Sequence, residues 1–215
     1  MLRVTRVGLV AALLAGACSV GDGDGEVRGR LMVAACDLQV PDYSMQPDFF
    51  AGDWHEGTYT IRIAQGGASG EYNDELVFLV DDTRYIAQHL NERIPVGAPG
   101  VTPVHATLRL SKSCGSRELI QVTPNVALSA MRGYIVFEAV YRGDPNADAA
   151  ARRTTASSFS LALEDPRVVR DTTGTVTDRS VVDEREPVVL ARSRAEIEGR
   201  FDFYFSRGRP AQRFQ

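Results

Sequence analysis

A period of two runs along this chain and commits it to β-structure. Val104, Ala106, Leu108 and Leu110 share one side of a segment whose other side carries His105, Thr107, Arg109 and Ser111. Near the far end, Ile197, Gly199, Phe201, Phe203 and Phe205 alternate with Arg200, Asp202 and Tyr204. Successive side chains of an extended strand point to opposite faces, so each pattern predicts a strand with one face in a core and the other in water. Val27 to Val33, Tyr59 to Ala64 and Phe159 to Leu163 repeat it. Leu76 to Val80 is continuously apolar, as expected of a strand covered on both faces.

Further strands are expected at Glu118 to Thr123, Val126 to Ala130 and Tyr134 to Tyr141, and shorter ones at the valine pairs 168–169, 181–182 and 188–189. Pro41 to Asp53 reads as a long ordered loop, and Tyr85 to Leu90 as helix or strand. One helix is expected over Gly143 to Arg153, with Asp144 as cap and Pro145 in the first turn. Short strands with Gly and Pro turns and a single short helix predict an all-β domain over residues 27–206. The expected architecture is an antiparallel β-sandwich, with jelly-roll-like and immunoglobulin-like topologies both open. Residues 18–26 alternate glycine with acid and read as a flexible tether. Residues 207–215 read as a loose basic tail carrying Arg207, Arg209 and Arg213.

The first residues carry an address. Arg3 and Arg6 precede the apolar run Val7 to Leu14, and Ala15, Gly16 and Ala17 close it before Cys18. That is the pattern of a secretory signal peptide over residues 1–17, and the run is shorter than the roughly 20 residues a spanning helix needs. Leu14-Ala15-Gly16-Ala17-Cys18 resembles the lipobox of bacterial lipoproteins, although Ala15 stands where the family usually has leucine. The resemblance implies that the Cys18 thiol is acylated, that the preceding peptide is removed, and that the new amino group is acylated too. Ser19 follows, where an aspartate would favour the inner membrane, so the resemblance implies an outer-membrane lipoprotein of the cell envelope. The membrane, reached through the lipid on Cys18, is then a partner.

Removing residues 1–17 shortens the chain from 215 to 198 residues and takes two of its 24 basic residues and none of its 28 acids, so the net charge moves from −4 to −6. An acidic chain is a poor partner for phosphate backbones, which excludes nucleic acid. With Cys18 lipidated, Cys36 and Cys114 remain as a pair in an oxidising compartment, where a disulfide is expected.

No Gly-x-Ser-x-Gly elbow, Ser-x-x-Lys or glycine-rich phosphate loop occurs, and no cofactor is expected. The histidines, His55, His89 and His105, stand singly, with His105 on the solvent side of its strand. The expected role is therefore structural or binding, without catalysis; the alternative is a hydrolase whose site is assembled from dispersed histidines and acids. Asp144, Asn146 and Asp148 place oxygens at alternate positions like the start of a calcium loop, but Ala149 stands where the turn glycine belongs. Phe49, Trp54 and Tyr59, with Tyr43 and Phe50 nearby, are candidates for an aromatic platform that stacks on an envelope glycan, the competing account being that they are core. An envelope protein is the other candidate partner.

Overall fold

The alternating segments form strands, and the strands close on themselves. The computed structural model describes residues 19–33, 36, 38–55, 57–66, 73–98, 100–114, 127–141, 148–152, 154–165, 168–170, 176–178 and 193–205. The strands are β1 (Ser19–Val33), β2 (Leu38–Met45), β3 (Phe49–His55), β4 (Thr58–Gln65), β5 (Asp74–Val80), β6 (Ile94–Pro95), β7 (Val104–Leu110), β8 (Ala127–Ala139), β9 (Thr155–Glu164), β10 (Val168–Arg170), β11 (Val176–Asp178) and β12 (Arg194–Phe205). Helix α1 (Thr83–Gln88) follows β5, and a 3-10 turn covers Ala150–Arg152.

The expected sandwich is wrong. Eight strands run β1, β12, β9, β8, β7, β5, β4, β3 and back to β1, each antiparallel to its neighbours, in a closed barrel. A sandwich has two separate sheets. Here the first and last strands join over twelve consecutive pairs, from Gly21 opposite Phe205 to Met32 opposite Arg194. The seam starts in the stretch expected to be a tether. Ser19 to Glu26 is the first half of β1, and Gly21, Gly23 and Gly25 lie opposite Phe205, Phe203 and Phe201. Large rings on one strand cover glycines on the next, so β1 borrows from β12 the apolar surface it lacks. The fit allows no side chain: a Cβ built on Gly23 would overlap Asp202 O and Phe203 Cβ and stand 2.7 Å from Phe203 Cα.

Pro41 to Asp53 is likewise strand rather than loop, contributing most of β2 and β3. β2 pairs with β1 from Val27 to Val33 and β3 pairs with it from Ser19 to Gly21, so Gln46 to Asp48 interrupt one long antiparallel partner. Tyr85 to Leu90 resolves as the end of α1 and its exit, the Asp82 carboxylate capping Arg84 N at 2.8 Å and Tyr85 N at 3.2 Å. Of the expected Gly143 to Arg153 helix, the described part shows only the 3-10 turn. The expected strand at Glu118 to Thr123, the valine pairs 181–182 and 188–189, and the tail 207–215 lie outside the described residues.

Side chains fill the barrel. Phe50, Tyr59, Phe78, Phe137, Phe159, Phe201 and Phe203 are buried, with Phe78 and Phe159 in edge contact at 5.2 Å and Phe203 and Phe205 at 5.6 Å. An eight-stranded barrel is just wide enough for this. α1 closes one end by inserting Ile86 into the core. At the other end Cys36 and Cys114 are bridged, their Cα atoms 5.5 Å apart across a sequence separation of 78. Outward positions on β12 are Arg194, Glu196, Glu198, Arg200 and Asp202, all exposed, so the barrel is apolar inside and charged outside. A membrane-spanning barrel has the inverse pattern. Among the described residues, no helix is long and apolar enough to cross a membrane.

Candidate functional site

The expected aromatic platform is not assembled. Tyr59 points into the barrel, its hydroxyl 3.5 Å from Thr155 Oγ1, and burial pushes its pKa above the ordinary phenol value, with the Thr155 contact opposing weakly. Trp54 is half-buried on the same face, its ring 4.4 Å from that of Tyr59. Phe49 is on the opposite face of β3, buried with Val20, Ala51 and Ala64, and the Arg62 guanidinium lies 5.4 Å from its ring centre. Adjacent strand positions point oppositely, which is why Phe49 parts from Phe50 and Trp54 along β3.

The other expected sites do not converge either. Asp144 and Asn146 lie outside the described residues, Asp148 is exposed, and among the described residues no three metal-capable side chains gather. Cys18 also lies outside them. His89 stacks on Tyr85 at 4.0 Å, with Nδ1 2.8 Å from Tyr85 O. His105 is less solvent-facing than expected: Nε2 lies 2.6 Å from Asp81 Oδ2 and Nδ1 lies 2.9 Å from Gly97 O. Both ring nitrogens are thus engaged, and the pair ties the β7 entry to the β5 exit.

Two charged clusters belong to the architecture. Glu75, buried on the outer side of β5, receives Arg62 Nε on one oxygen and Arg109 Nη1 at 2.9 Å on the other. Asp74, pointing inward at the disulfide end, accepts Lys112 N at 3.1 Å, Ser113 N at 3.0 Å, the Ser113 hydroxyl, and Tyr43 OH at 3.4 Å. Burial, then the Asp74 charge and hydrogen bond, push the Tyr43 pKa well up.

What remains is a groove of about 720 Å³ on the outer wall, running over β2, β1, β12, β9 and β8. The register builds it in two rows. Arg30, Glu196, Ala162 and Arg132 lie side by side in one; Ser44, Arg28, Glu198, Ser160 and Tyr134 in the next. Ser160 and Ala162 on β9 are small and make a floor. Glu196 and Glu198 form an acidic bank on β12. Arg132 and Tyr134 form the facing bank on β8, with the Arg93 guanidinium 4.5 Å from the Tyr134 ring centre. Two strand spacings separate the banks, roughly 10 Å.

Backbone irregularity deepens the trough. β8 is bulged between Ala130 and Arg132, and the β1–β2 ladder between Gly29 and Leu31. Bulges bend a strand and tighten its twist. At Gly133, where φ is +152, a Cβ would overlap Ser160 O and stand 2.9 Å from Leu161 Cα. Glycine here lets β8 lie close against the floor strand.

The charges of the groove are largely uncommitted. Arg28 pairs with Glu26 at 2.8 Å rather than with Glu198 directly across from it. Arg30 faces Glu196 across the ladder, yet among the described residues neither Arg30 nor Arg132 has a carboxylate within ion-pair distance. The carboxylates can accept ammonium or hydroxyl donors, and the guanidiniums can hold a carboxylate in bidentate fashion. None of these residues stands out in sequence, because each is simply the outward member of an alternating pair. Only the register brings five strands' worth of them together.

No family model matches the chain, and no curated protein or solved structure matches it.

Proposed function

We propose that this is a lipid-anchored outer-membrane protein of the cell envelope with a binding role and no catalysis, and that the groove over β9 is where it binds. The carrying observation is the groove itself. It presents open charges of both signs on the outer wall of a barrel whose interior is filled by its own side chains, so a ligand is accommodated outside. The small floor and the two unlike banks suit an extended peptide bearing both acidic and basic side chains, laid along β9. The export pattern ending at Cys18 supports the anchor, and the charged exterior suits a body that stands in water beside a membrane.

Two measurements test this reading. Titration calorimetry with a synthetic peptide of alternating Lys and Glu should show binding that weakens with salt. It should also weaken in both Glu196→Gln/Glu198→Gln and Arg30→Gln/Arg132→Gln. Binding as tight as the native protein's in either variant, or none by the native protein, overturns the groove. Intact mass of the mature protein should show an acylated amino-terminal Cys18; an unmodified chain beginning elsewhere overturns the anchor.

A further inference from the structure

We propose that the barrel docks end-on against the bilayer, its α1-capped end pressed to the lipid headgroups. The inference rests on the reading of Cys18 as acylated. The next residue already belongs to the barrel: β1 starts at Ser19. Adjacent Cα atoms are about 3.8 Å apart. No spacer separates the lipid from the barrel, so the end that carries Ser19 is held at the membrane surface.

The register identifies that end. Ser19 to Gly21 pair with Gly52 to Phe50 near the exit of β3. Trp54 pairs with Tyr59, Tyr59 with Val80, and Val80 with Val104, so the starts of β4 and β7 and the end of β5 lie there too. α1 and the loop leading into β7 follow from those strand ends.

Exposed apolar side chains collect at the same end. Among the described residues, the large hydrophobics left exposed are Leu79, Leu90, Val101, Met131 and Tyr204. Val101, at 80 % exposure, tips the loop before β7; Leu90, at 37 %, follows α1. Leu79 and Tyr204 are each one residue from their strand's end on this side. Met131 sits at the bulge of β8, and among the described residues none lies at the disulfide end. A tyrosine at headgroup depth and apolar tips below it match the interfacial preferences of such residues. The charge at this end is mixed: Asp81 is bonded to His105 and Asp82 caps α1, while Arg84, Arg93 and Arg152 stand among Asp53, Glu92, Glu138 and Asp148. Acyl chains supply the anchoring, and the apolar tips fix the orientation. The groove then stands on the side wall, open to the compartment beside the membrane.

The test uses full-length acylated protein in phosphatidylethanolamine–phosphatidylglycerol vesicles, with an environment-sensitive fluorophore on Val101→Cys or, near the disulfide end, on Gln39→Cys. Headgroup-level nitroxide lipid should quench the label at 101, with a blue shift of its emission, and leave the label at 39 unquenched. A label on Leu90→Cys should lose quenching when Val101→Asp is added, while the protein stays membrane-bound. Quenching at both positions, or at neither, on protein whose mass shows acylated Cys18 overturns end-on docking and leaves the anchor standing. A mass without acyl chains removes both.

Discussion

Gly23 of β1 lies directly opposite Phe203 of β12, so close that a Cβ on the glycine would overlap the phenylalanine's own Cβ. This pair sits on the seam that turns a sheet into a barrel. Gly23→Ala should therefore destabilise the fold by about 1–3 kcal/mol, the usual cost of overpacking. Gly25→Ala should cost less, since its Cβ would meet Arg200 O at 3.0 Å and a small shift relieves it. Phe203→Ala should cost about 3–5 kcal/mol. Urea denaturation ranks the three. In a tether, both glycine changes would be silent.

That seam also marks where the sequence stopped being readable. Alternation placed β4, β7, β9 and β12, because one buried face imposes period two whatever the fold above it, and an unbroken apolar run placed β5. Barrel and sandwich share that period, so it cannot choose between them. What chooses is the closing pair, and β1 disguises its half by putting glycine at every position opposite a phenylalanine. Gly21, Gly23 and Gly25 carry nothing to bury, and they read as part of the barrel only once Phe205, Phe203 and Phe201 are set opposite them. The groove was hidden for a related reason. Arg30, Arg132 and Glu196 are spread over 166 residues, and the sequence alone does not fix the register that aligns them.

The Cys36–Cys114 bridge ties the segment after β1 to the segment after β7, closing a long loop in the unfolded chain. In the chain-entropy account such a crosslink contributes about 4–5 kcal/mol, an upper figure because it neglects native strain. Reduction, or Cys36→Ser with Cys114→Ser, should lower the melting temperature by about 10 °C. Scanning calorimetry with and without reductant measures it, and an unchanged midpoint refutes it.

Glu75 is 3 % exposed and holds two guanidiniums, one from Arg62 at 9 % and one from Arg109 at 51 %. The two should not be equivalent. Glu75→Gln removes the carboxylate that Arg62 meets inside the wall, and breaking a buried pair costs about 3–5 kcal/mol. Arg109→Gln removes a largely solvated partner and should cost under about 1 kcal/mol. Equal effects in denaturant titrations would mean that burial does not govern this triad.

Stability should fall at alkaline pH, beginning near the ordinary phenol value of about 10. Tyr43 and Tyr59 both have pKa values raised by burial, and the nearby Asp74 charge raises Tyr43 further. The folded state thus holds both phenolic protons more tightly than the unfolded chain does. Stability from this source is fully present below about pH 10 and is lost above it, as the unfolded chain ionises first. Each phenol contributes a slope of up to about 1.4 kcal/mol per pH unit. Tyr59→Phe should remove one of the two contributions. Its hydroxyl makes only a 3.5 Å contact to Thr155, so the change should cost little near neutral pH while flattening the alkaline fall. Denaturant midpoints at about pH 8 and about pH 11 for both proteins decide it. Parallel losses in the two would show that Tyr59 does not carry the effect.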